Sequence, residues 1–82
     1  QRDGRQIPLT RLQGALLEIL EQEAPRIVPH ARLIERAWGA AGADMAALQT
    51  QVYELRALVD RPFAQPMIKS VRGVGYRVVA PE

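Results

Sequence analysis

Eighty-two residues, 48% of them apolar, are enough for one small domain with an ordinary core and argue against a chain disordered throughout. The absence of cysteine excludes a disulfide framework and thiol chemistry and fits a cytoplasmic location. No apolar run reaches the ~20 residues of a membrane-spanning helix, and the polar start Gln1-Arg2-Asp3-Gly4-Arg5 is no secretory signal and lacks an initiator methionine, so a piece of a longer protein is expected. The net charge of +2 decides little by its size, but its distribution is uneven. Glu18, Glu21 and Glu23 gather acid in the first third, whereas Arg61, Lys69, Arg72 and Arg77 gather base in the last quarter. Such segregation gives a one-sided positive surface suited to a phosphate backbone.

Arg2-Asp3-Gly4-Arg5 is a turn signal, and Ile7 and Leu9 alternate after it, which predicts a short N-terminal strand. Pro8 assigns that strand to a sheet edge, since proline cannot donate a ladder hydrogen bond. Thr10 followed three residues later by Gln13 fits a capping box, and Leu12, Ala15, Leu16, Ile19 and Leu20 recur at helical spacing behind it. A first helix is predicted from Arg11 to Glu23, stopping before Pro25, with Gly14 inside it as the mark of a close packing contact. Glu18, Glu21 and Glu23 read as its solvated face. Ile27 and Val28 form a short extended link, Pro29 suits a first helical turn, and Leu33, Ile34, Ala37 and Trp38 give a second amphipathic helix.

Gly39 to Ala43 is a loop of small residues, and Asp44 is a good N-cap. The third helix, Met45 to Val59, has its core face at Leu48, Val52, Leu55 and Val59, the clearest helical period in the chain. Arg61 to Pro66 is a loop fixed by two prolines. From Met67 to Ala80, β-branched and aromatic residues flank Gly73-Val74-Gly75, which predicts a hairpin with glycines at its reversal. Lys69, Arg72 and Arg77 lie on this hairpin, and no acid occurs from Arg61 to Pro81, so the hairpin is built to meet a polyanion. The weaker alternative is that Lys69, Arg72 and Arg77 are ordinary edge-strand charges that deter aggregation, a reading with more weight at Arg77 than at Arg72.

Other chemistries find no support. His30 is the sole histidine, too little for a metal site, and no nucleophile–base pair is visible, so neither an enzyme nor a cofactor is expected. Trp38 and Tyr76 read as packing residues, and Gly73-Val74-Gly75 is too short for a dinucleotide fingerprint.

Three helices followed by a basic hairpin is the order of a winged helix-turn-helix. The run Ile68-Lys69-Ser70-Val71-Arg72-Gly73-Val74-Gly75-Tyr76-Arg77-Val78, with Leu33-Ile34-x-x-Ala37-Trp38-Gly39 and Val52-x-x-Leu55-Arg56, resembles the output domain of OmpR/PhoB-type response regulators. The resemblance covers essentially the whole chain. It implies an α+β winged helix-turn-helix of three helices, a C-terminal β-hairpin wing and a short N-terminal strand. It further implies double-stranded DNA as partner, with the third helix in the major groove and the wing at the minor groove. Arg72 then enters the minor groove, Ser70, Lys69 and Arg56 meet backbone phosphates, and Gln49, Gln51, Tyr53 and Glu54 face the major groove. A homodimer on DNA, contact with RNA polymerase near Gly39–Ala43, and an N-terminal receiver or other sensing domain are also implied.

The third helix departs from the family pattern. Ala46, Ala47, Gln51, Tyr53 and Glu54 stand where family members carry arginines, a threonine and a histidine, and from Asp44 to Asp60 there are three acids and one arginine. A second reading therefore stays open, in which a degenerate winged helix serves as a protein-interaction module. A third is an accessory domain fused to a catalytic partner outside this chain.

Overall fold

The computed structural model describes residues 8–60 and 67–79. Most of its elements follow directly from local sequence. Helix α1 spans Arg11–Glu23 and begins with the expected capping box: Thr10 Oγ1 accepts from the Gln13 backbone N–H, and Gln13 Oε1 accepts from that of Thr10, both at 3.1 Å. Strand β1 is Val28–Pro29, α2 spans His30–Trp38, and a 3-10 turn at Gly39–Ala41 follows. Gly39 closes α2 at φ +64°, where a side chain would be strained. Helix α3 spans Met45–Val59, its first turn held by Asp44 Oδ1, which accepts from Ala47 N–H at 2.8 Å. Strands β2 (Ile68–Val71) and β3 (Gly75–Val78) form the hairpin.

The link expected at Ile27–Val28 is more than a link. Val28 and Pro29 pair antiparallel with Tyr76 and Gly75, so β3 lies in the middle of a three-stranded sheet ordered β1-β3-β2. Ile27 stays outside it, 39% exposed. The predicted N-terminal strand lies mostly outside the described residues, and Pro8 and Leu9 are not in a strand. The loop Arg61–Pro66 is outside them as well.

Leu16, Leu20, Leu33, Leu48, Leu55 and Val28 are fully buried and, with Ile68, Tyr76 and Val78 from the hairpin, make one core. All four predicted core positions of α3 belong to it, and Trp38 packs half-buried at its margin. Burial at about 25 cal/mol per Å² of apolar surface is the main force on these elements. The short strands are thereby held by a core they share with the helices.

Two expectations are corrected. Glu23 is not simply solvated: its side chain is 24% exposed, with Arg26, Arg32 and Arg36 at 3.7–3.8 Å around its carboxylate. The pattern of α1 alone could not place α2's arginines beside it. Nor does Gly14 mark a close contact, since a Cβ there would meet nothing within 4 Å. The close approach belongs to Gly75, where an added Cβ would run into the Val28 carbonyl group, its carbon at 2.8 Å, and Pro29 Cα at 2.9 Å. Gly73, at φ +76°, supplies the reversal alone.

These two glycines should respond oppositely to alanine. Gly75→Ala is expected to destabilise the domain by about 2 kcal/mol, a fall in Tm of about 10 °C, because backbone cannot yield as a side chain can. Gly14→Ala should stabilise it by about 0.5–1 kcal/mol through helix propensity. Thermal melts of the two variants check both.

Candidate nucleic-acid interface

Helix α3 presents two polar lines, and each faces a different neighbour. Gln49, Tyr53 and Arg56 follow i, i+4, i+7 spacing toward the hairpin, while Gln51 and Glu54, at i and i+3, lie toward α1. The contacts agree with the helical geometry. Arg56 Nη2 donates to Ser70 Oγ at 2.9 Å and to the Ile68 carbonyl at 3.3 Å, and its guanidinium sits 5.8 Å from the centre of the Tyr76 ring. Glu54 Oε1 accepts from Gln13 Nε2 at 3.5 Å. Gln13 thus serves the capping box through its oxygen and α3 through its nitrogen, which explains why a glutamine only 5% exposed is tolerated.

A second tie joins the end of α3 to the hairpin. Asp60, 7% exposed, accepts from the backbone N–H groups of Met67 at 2.8 Å and Ile68 at 3.1 Å. Ionised acceptors on backbone donors are among the stronger hydrogen bonds, and here they fix where β2 begins. Sequence reading passed over Asp60, because nothing local marks a carboxylate that caps a strand seven residues away.

The hairpin tip lies beside α2. Val74 N–H donates to the Val71 carbonyl at 3.0 Å and closes the turn, and the Val74 carbonyl accepts from His30 N–H at 3.1 Å. Between tip and α3 lies an open concavity of about 350 Å³, lined by His30, Gln49, Ser70, Arg72 and Tyr76 among others. Of the residues expected to form the site, the fold brings Gln49, Ser70 and Arg72 together here. Tyr53 projects from α3, 61% exposed. Gln51 is half-buried on the α1 side and apart from that group, and Glu54 shares its side. Lys69 is exposed on β2 directly opposite Arg77 on β3, two like charges in register that disfavour one another. Arg77 Nε is buried with no hydrogen-bond partner.

The three acids of the third helix differ in three dimensions. Asp60 is buried and caps β2, whereas Asp44, the N-cap, and Glu54 are exposed. His30, read from sequence as an isolated histidine, lines the concavity, its ring edge-on to Tyr76 at 5.4 Å. No local signal could have placed it there, since the contact is made across the fold. Among the described residues no group of three or more His, Asp or Glu could hold a metal ion, and no helix is long and apolar enough to cross a membrane.

A family model described as "Transcriptional regulatory protein, C terminal" matches residues 4–78. The chain belongs to the OmpR/PhoB-type C-terminal effector-domain family. That family comprises DNA-binding transcription-regulator domains and not enzymes. The transcriptional regulatory protein HprR of Escherichia coli (strain K12) is 36% identical over 80 residues, covering 96% of this chain and 36% of HprR. The DNA-binding domain of E. coli CadC superposes with a TM-score of 0.85 at 25% identity, covering 99% of this chain and 78% of that one. Response regulator DrrB, a Thermotoga maritima OmpR/PhoB homologue, superposes with a TM-score of 0.82 at 26% identity, covering 94% of this chain and 36% of DrrB. This chain spans about a third of the length of the curated relatives it matches. As an effector domain of this family it has the winged-helix fold expected from its sequence.

The Arg56–Ser70 contact should behave as a coupled pair. In a double-mutant cycle of Arg56→Ala and Ser70→Ala, urea unfolding is expected to give an interaction energy of about 1 kcal/mol. Additive single effects would show that the hydrogen bond does not hold the wing to α3.

Proposed function

We propose that this chain binds double-stranded DNA as the output domain of a bacterial, cytoplasmic transcription regulator, with α3 in the major groove and the β2–β3 wing at the minor groove. The observation that carries this reading is the shared concavity, where Gln49 from α3 meets Ser70 and Arg72 from the wing with no carboxylate among its lining residues. A helix suits the wide groove, and an arginine suits the narrow, electronegative one. Arg72, exposed on the turn, is the minor-groove residue. Gln49 and Tyr53 face the major groove on the wing side, with Gln51 and Glu54 on its α1 flank. Glutamine can pair with adenine, and a carboxylate can accept from a cytosine amino group.

Lys69 and Ser70 approach backbone phosphates. Arg56 reaches a phosphate with the guanidinium nitrogens left after Nη2 is given to the wing. Because the chain is about a third the length of its relatives, we assign the missing part to an N-terminal receiver or other sensing domain. Pairing of two copies on direct-repeat half-sites and contact of Gly39–Ala43 with RNA polymerase complete the proposal.

The rival reading, a protein-interaction module, drew its strength from the acid-leaning third helix. With Asp60 buried in capping β2, that strength rests on the exposed Asp44 and Glu54.

Fluorescence anisotropy of this chain on a random-sequence duplex, over a series of salt concentrations, separates the two. DNA binding should weaken log-linearly with salt, and Arg72→Ala should lower the slope by about 0.9, one released counterion. Glu54→Arg should tighten binding by about tenfold and steepen the slope by the same amount. Absence of binding at low salt by the folded domain would favour a protein partner.

A further inference from the structure

The groove between α3 and the wing contains an ionisable side chain with no role in the reading above. His30 is the first residue of α2, half-buried, and its backbone N–H is fixed to the wing tip through Val74 at 3.1 Å. Its ring leans edge-on against Tyr76 and lines the same concavity as Gln49, Ser70 and Arg72. The imidazole thus stands with the residues assigned to the major groove, the minor groove and the phosphates between.

The charges around it are of one sign. Within the groove the wing supplies Arg72, β3 supplies the neutral phenol of Tyr76, and α3 supplies the neutral amide of Gln49, with the Arg56 guanidinium of α3 beside Tyr76 and Ser70. None of the carboxylates on the described elements packed against α2 lines the groove; Glu18 of α1 accepts from Gln22, and Glu21 is exposed. Glu23 of α1 faces Arg26, Arg32 and Arg36, Glu54 of α3 accepts from Gln13, and Asp44 caps Ala47. Glu35, Arg32 and Arg36 of α2 itself are exposed and do not line the groove. Among the described residues no carboxylate lines this groove, which leaves that position open to an anion from outside.

We propose that His30 is a phosphate-contacting residue of the DNA interface and makes its contact as the imidazolium, so that the affinity of this domain for DNA is linked to protonation. The inference rests on the DNA-binding reading and adds to it a contact and a regulation. A phosphate beside the ring favours its charged form, so DNA association takes up a proton and affinity falls as pH rises. The range to examine is the one in which imidazole side chains ordinarily change charge, about pH 5 to 8. His30 is the sole histidine and cysteine is absent, so no other side-chain type ordinarily titrates in that range.

The test is anisotropy of the chain on a fixed duplex at pH 6 and pH 8 and at several salt concentrations. Wild type, His30→Gln, His30→Arg and Arg72→Ala are compared, each first checked for folding by circular dichroism. Wild-type binding should tighten about fivefold to tenfold from pH 8 to pH 6, with the salt slope steeper by up to about 0.9 at the lower pH. His30→Gln should remove both responses, the α-amino group being common to all variants. His30→Arg should bind at both pH values about as tightly as wild type at pH 6. A wild type indifferent to pH, or a His30→Gln variant that keeps the pH response, overturns the proposal. If Arg72→Ala still weakens binding in either case, the DNA-binding reading stands without it. A folded wild type that binds no duplex at either pH overturns both.

Discussion

Everything proposed for this domain depends on the wing and α3 acting as one rigid surface, and two polar ties supply that rigidity. Arg56 spans from the helix to Ser70 and the Ile68 carbonyl, and Asp60 holds the amides of Met67 and Ile68 where β2 begins. A hairpin of four-residue strands is marginal by itself in water. Its apolar face, Ile68, Tyr76 and Val78, gains stability by joining the core of the helices. The polar ties then set its angle. Hydrophobic burial is non-directional, so it can hold a hairpin down without fixing where its tip points. Directional hydrogen bonds do the second task.

The other end of the wing is pinned by backbone. Gly75 lets β3 lie so close to β1 that a side chain there would strike the Val28 carbonyl group, and the Val74 carbonyl takes the first amide of α2. The wing is thereby fastened to α2 at its tip and to α3 along its first strand. The space left between these attachments is the concavity that gathers Gln49, Ser70, Arg72 and His30. An interface with this construction needs little rearrangement to meet a duplex, which lowers the ordering cost of binding.

Electrostatics follow the same division of labour. The domain carries only two excess positive charges, yet several of its acids have structural partners: Asp44 and Asp60 as caps, Glu23 among three arginines, Glu54 beside Gln13. Arg72, by contrast, is exposed on the turn, and Lys69 faces Arg77 across the strands with no acid between them. Exposed Lys69 and Arg72 on a hairpin without acids give a positive face that the net charge conceals. That is the asymmetry a phosphate backbone selects for.

Helices α1 and α3 were legible to the residue because their signals are local: a threonine–glutamine box, an aspartate cap, and leucines and valines at helical spacing. The glycine-centred hairpin and the family resemblance came from the same kind of information, a run of residues read along the chain. The sequence by itself therefore determined the elements, their order and the effector-domain family. Only the tertiary structure decided which glycine is crowded, that Val28 and Pro29 are a strand, that Asp60 caps β2, and that Gln51 and Gln49 part company on α3. It also decided that His30 stands beside Arg72 in one groove. The physical reason is range: caps and periodicities act within a turn or two of the chain. A carboxylate, a carbonyl or an imidazole acquires its role from a partner beyond that range, brought near by the burial of a common core.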